Sequence, residues 1–158
     1  MKAGWIMRCP PAFSVLVALF LGLGAVHGGD TAEDWHKLKG NWQAVEILTL
    51  DGRAVSPDEV KAVKLTVAGA DRMIFLAAKN TDKHECSVKL DASKKPKAID
   101  LKALDGDSKG DVLLGIYQLD GDTLKLCVAS EPKIDRPSRF TSEVGSKNFL
   151  YTFKRAKP

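Results

Sequence analysis

From residue 41 onward, apolar side chains return at every second position in runs of six to ten residues. Val63, Leu65 and Val67 alternate with Lys64 and Thr66, and Leu124, Leu126 and Val128 alternate with Thr123 and Lys125. A period of two places one set of side chains on a dry face and the other in water, as in a half-buried β-strand. The runs are separated by Asp-Gly, Gly-Asp, Asn-Thr-Asp and Ser-Lys-Lys-Pro, residues that supply the dihedral angles tight turns need. Strands are therefore expected near 41–50, 63–68, 72–79, 84–91, 97–104, 111–119, 123–129 and 147–155.

Two short helices interrupt this pattern. Thr31-Ala32-Glu33-Asp34 fits a capping box, Trp35 and Leu38 lie three apart on one side, and Gly40 stands where a helix stops, which predicts a helix over 31–39. Ser56-Pro57-Asp58-Glu59 offers an N-cap, a proline at the first helical position and an acid at the third. This second helix is expected to cover one end of the sheet. In the last strand Phe149, Tyr151, Phe153 and Arg155 share one parity. An open eight-stranded sheet would leave two edges unpaired, so the last strand is expected to pair with the first. The fold class is all-β, an eight-stranded antiparallel up-and-down barrel with a short N-terminal helix and one helical insertion.

The chain of 158 residues is long enough for one domain with a real core. Residues 1–28 differ from the rest: Lys2 and Arg8, no acid, then an apolar run from Ala12 to Ala25 that ends in small residues. That is the profile of a cleavable export signal, too short to span a bilayer. The expected domains are a signal peptide over 1–28 and a barrel over 29–158, giving an exported, periplasmic or extracellular protein with no stable membrane span after processing. The formal charge of +4 includes Lys2 and Arg8, so the barrel domain carries only +2, with both signs interspersed. A nucleic-acid partner is disfavoured.

Gly40-Asn41-Trp42, after a short helix and at the head of the first strand, resembles the Gly-x-Trp signature of lipocalin-type barrels. In that family the tryptophan plugs the closed end of the barrel and a basic residue of the last strand packs over its ring. The resemblance implies that Trp42 and Arg155 form this structural pair. Together with Pro96–Leu101, Gly115–Cys127 and Arg136–Phe140, the signature also resembles an uncharacterised domain family abundant in planctomycete bacteria. That second resemblance implies a bacterial exported protein and carries no activity.

The residues supply little catalytic chemistry. Asp105–Asp111 alternates carboxylates around a glycine, but Lys109 and Ile116 stand where a calcium loop needs oxygen donors, so it reads as a hairpin turn. His36 and His84 have no partners at the spacing of a zinc site. No nucleophile elbow and no phosphate-cradling glycine loop is present. No enzyme activity, no metal and no cofactor are expected. Lys133, Arg136 and Arg139 sit in the long segment before the last strand and read as a solvated cluster. Cys86 has inward parity and Cys127 outward parity. An export context favours a disulfide and the register opposes it, so free thiols are expected.

Glu46 shares the parity of Trp42. A regular strand would bury its charge against Arg155 or a polar ligand, whereas a β-bulge would turn it outward. Glu46, Tyr117, Phe149 and Tyr151 are the candidate ligand contacts. The reading that follows is an exported binding module for a small apolar or amphipathic ligand. The alternative is a barrel filled by its own bulky residues, Leu65, Leu90, Leu101, Leu126, Phe149 and Phe153, which binds an envelope protein or polymer through its loops.

Overall fold

The computed structural model describes residues 30–77 and 82–157. The expected export signal over 1–28 lies outside the described residues. The chain opens with α1 (Thr31–Leu38) and β1 (Gly40–Leu48), followed by α2 (Pro57–Ala62), β2 (Lys64–Ala68) and β3 (Arg72–Ala77). Then come β4 (Asp82–Asp91), β5 (Lys97–Ala103), β6 (Val112–Asp120), β7 (Thr123–Ala129) and β8 (Asn148–Arg155). Each strand pairs antiparallel with the next, and β8 pairs back on β1 to close the barrel. Closure satisfies the two edges that an open sheet would present to solvent. The strands fall where alternation places them; the last two residues expected in the third lie outside the described residues.

α1 is capped one residue earlier than expected. Asp30, not Thr31, caps it by accepting a hydrogen bond from the Ala32 amide at 2.8 Å. The Thr31 hydroxyl instead accepts from the Ala92 amide in the β4–β5 turn at 3.2 Å and ties the helix to the barrel. α2 keeps the expected cap, with the Ser56 hydroxyl donating to the Glu59 carboxylate at 2.6 Å. It packs on β1, with Val60 turned into the interior core. The side-chain amide of Gln43 donates to the carbonyls of Lys61 and Val63, both at 3.0 Å, and so satisfies acceptors that the helix end leaves open.

The register of β1 against β8 shifts between Ala44 and Glu46. Val45 is the extra residue of a β-bulge, which keeps Trp42, Ala44 and Ile47 inside and carries Glu46 to the outer surface. There its carboxylate accepts from the Thr152 hydroxyl at 3.3 Å. The buried-acid alternative, and with it Glu46 as a contact inside the barrel, is thereby corrected. An unpaired interior charge would have cost more than one bulged residue.

A second small core lies outside the barrel. Ile116, Cys127 and Leu150 have outward parity, yet all are buried, packed with Leu48 and Phe140 beneath the β7–β8 loop. Arg136 pins that loop. Its guanidinium donates to the carbonyls of Ile99 at 2.9 Å and Gly115 at 2.6 Å and pairs with Asp100 at 2.6 Å. Arg136 is therefore a structural clamp, a correction to the solvated-cluster reading, while Lys133 and Arg139 remain exposed. Gly115 belongs to the same contact: a Cβ there would stand 2.8 Å from the Cys127 carbonyl oxygen.

Cys86 packs against the interior core and Cys127 against the outer one, and both are free thiols. Burial pushes the Cys127 thiol up to about 11. The unfolded chain releases this proton near pH 9, while the folded protein holds it until about pH 11. Above pH 9 the unfolded state therefore binds fewer protons, and stability falls as pH rises. Denaturant melts should lose about 2–3 kcal/mol between pH 9 and 11 from this group. Cys127→Ala should show a shallower decline over the same range; an identical decline in both proteins would contradict this origin.

Candidate functional site

The two ends of the barrel differ. One end is plugged from the sequence signature outward. Trp42 starts β1 opposite Arg155 at the end of β8, and the Arg155 guanidinium stacks over the indole at 4.2 Å from the ring centre. The indole N–H donates to the Leu38 carbonyl at 2.8 Å. Arg155 donates to the carbonyls of Lys37 at 2.6 Å and Lys39 at 2.9 Å, and its Nε reaches Asp122 at 3.0 Å. Trp42 and Arg155 thus satisfy carbonyls at the C-terminal end of α1 that the helix leaves unpaired. Gly40 makes this approach possible. Its φ of +118° is unfavourable for other residues, and a Cβ would come within 3.3 Å of the Arg155 guanidinium.

Asp34 completes the plug. One of its carboxylate oxygens accepts from the Tyr117 hydroxyl at 2.7 Å and from the Lys97 ammonium at 2.6 Å, joining α1 to β5 and β6. Asp34 is buried, and so is Tyr117. Burial first, and then the bond to Asp34, raise the Tyr117 phenol far above its ordinary range. Tyr117 is therefore part of the filled end and not a ligand contact, a correction to its place among the candidates. The signal for Asp34 lay in its spacing: it stands four residues before Leu38, on the helix face that packs inward.

The other end is open. Phe75, Leu101, Leu113, Val128, Phe149 and Tyr151 line a recess of about 300 Å³ at the mouth, with Cys86 in its wall and His84 at its rim. A second recess, about 550 Å³, adjoins it between the mouth and α2, sharing Val63, Ala77, Phe149 and Tyr151. Asp58 and Glu59 of α2 complete that lining. The reason for the opening is a length difference. β2 pairs with β1 only from Gly40 to Gln43, so the far half of β1 is flanked by the α2 connection instead of a strand. Phe149 and Tyr151 are brought together here, with ring centres 6.2 Å apart. Burial raises the Tyr151 phenol, and among the described residues its hydroxyl has no hydrogen-bond partner.

Comparison with protein-family models, curated proteins and solved structures finds no match. The chemistry of the recess therefore carries the functional reading. Among the described residues no group of three His, Cys, Asp or Glu side chains is placed to hold a metal ion. Asp105 accepts from the Glu85 amide at 3.0 Å, as a turn residue. No helix among the described residues is long and apolar enough to cross a membrane. Two clefts beside Lys94–Pro96, about 280 and 460 Å³, lie on the outer surface. The first sets Lys89, Lys94, Lys95 and Arg136 against Asp91 and Asp100 around a small apolar floor of Ala98 and Ile116.

Proposed function

We propose that this protein is an exported, lipocalin-like, non-catalytic binding module whose open mouth takes a small apolar or amphipathic ligand. The observation that carries the reading is the asymmetry of the interior. Trp42, Tyr117, Phe153, Leu65, Leu124 and Leu126 fill the closed half with side chains, whereas the mouth keeps an apolar recess of about 300 Å³, within the size range of small-molecule sites. Apolar surface left concave gains free energy when a ligand displaces its water. The solidly packed closed half is what favours the second reading, an interaction module that binds an envelope component through its loops. Export itself rests on the profile of residues 1–28, and bacterial origin on the sequence resemblance.

A neutral naphthylamine dye, whose emission rises in apolar surroundings, tests the choice. We expect saturable binding at micromolar dye. Leu113→Trp, which places a larger ring in the recess from a half-buried wall position, should weaken binding at least about tenfold while the thermal melt stays cooperative. Absence of dye binding, or binding unchanged by Leu113→Trp, would favour the interaction module.

A further inference from the structure

Charge is distributed unevenly around the mouth. The chain carries 24 Lys and Arg against 20 Asp and Glu, yet neither recess has a Lys or Arg among its described lining residues. The lining does contain two carboxylates, Asp58 and Glu59. Both lie on α2 and line the recess together with Tyr151, whose hydroxyl adds a polar group to its wall. Asp58 has one exposed cation partner, and Glu59 has none among the described residues. Lys61 stands 3.9 Å from Asp58, with both side chains at least three-quarters exposed. Glu59 is held by the neutral Ser56 hydroxyl, which fixes its position and leaves its charge.

The opposite wall of the recess has no Lys or Arg among its described residues. The Cys86 thiol is raised first by burial and then by the negative charges of Asp105 and Glu85, the latter despite its pairing with Arg72 and Lys83. His84 is the one titratable nitrogen in the described lining, and it is exposed at the rim. An anionic head group at this mouth would meet carboxylates with no ammonium or guanidinium among the described lining residues. Like charges brought together across an interface disfavour a partner as effectively as contacts favour one.

Resting on the reading of the mouth as an apolar binding cavity, we propose that its ligand class is the cationic amphiphile. An aliphatic or aromatic body would fill the recess beside Phe149, Leu101 and Leu113, and a protonated amine would sit at the rim. There the ammonium donates to the carboxylates of Asp58 and Glu59 and to the Tyr151 oxygen. The chain's positive net charge supplies no such preference; the placement of the charges does.

The test compares three ligands of equal chain length, dodecylamine, dodecanol and dodecanoate. Each is titrated below its micellar concentration against the full chain loaded with the neutral naphthylamine dye, at neutral pH. Dodecylamine should displace the dye about tenfold more tightly than dodecanol, with dodecanoate weakest. High salt should narrow the gap, because rim charges are screened. In the variant D58N/E59Q the three affinities should converge, with the dodecanol value unchanged as evidence that the cavity is intact. Dodecanoate binding as tightly as dodecylamine, or a preference that survives both salt and D58N/E59Q, overturns the charge assignment. If the dye binds and none of the three displaces it, the amphiphile class is wrong while the cavity stands. If the dye itself fails to bind, the cavity reading falls first.

Discussion

Trp42→Ala should lower the unfolding free energy by about 3–5 kcal/mol, the usual cost of truncating a fully buried aromatic side chain. The indole is 1 % exposed and sits where the first and last strands meet. Its removal takes away packing area, the donor to the Leu38 carbonyl and the surface on which Arg155 rests. Arg155→Ala should cost less, about 1–3 kcal/mol, because the indole stays packed while the carbonyls of Lys37 and Lys39 lose a charged donor. Trp42→Phe should fall between wild type and Trp42→Ala, keeping a ring but not the N–H. Urea melts read all three. A Trp42→Ala midpoint within about 0.5 kcal/mol of wild type would show that the closed end is not held as described.

The second large effect is expected at Asp34. Asp34→Ala leaves the buried Tyr117 hydroxyl without an acceptor and the Lys97 ammonium without its counter-charge. Removing one member of a buried ion pair costs about 3–5 kcal/mol when the other stays dry. Lys97 keeps a side chain about one-third exposed and can turn toward water, so the expected loss is smaller, about 2–3 kcal/mol, dominated by the orphaned phenol. Tyr117→Phe in the Asp34→Ala background should then recover part of the loss, since no hydroxyl remains to be satisfied. A double-mutant cycle with no coupling between Asp34 and Tyr117 would refute the network.

These two sites divide by how they were legible. Trp42 and Arg155 could be paired from linear order alone, because a closed barrel makes the start of its first strand a neighbour of the end of its last. Asp34 could not. Its partners Tyr117 and Lys97 lie 83 and 63 residues away, and the spacing that puts Asp34 on the inward face of α1 does not say which residues it meets there. Arg136 was missed for the same reason: a basic residue in a loop reads as solvated until the loop folds against the barrel and presents it with the carbonyls of Ile99 and Gly115. Ile116, Cys127 and Leu150 follow suit. The outward parity read for Cys127 was correct, and the burial of all three came from a loop that alternation does not describe.

Strand positions, turn positions, barrel closure and the parity of most side chains were readable directly, because each depends on a period of two and on residues within a few places of one another. The bulge beside Glu46 was also legible, since a charge of inward parity calls for one; the plug around Asp34 and the open mouth were not. Each follows from where distant segments stop: β2 is too short to flank the whole of β1, so α2 stands beside the gap. Phe149 and Phe153 have the same parity and the same chemistry in the chain. One lines the recess and the other is wholly buried in the closed half, because depth along a barrel axis is set by the pairing of all eight strands and by no single one of them.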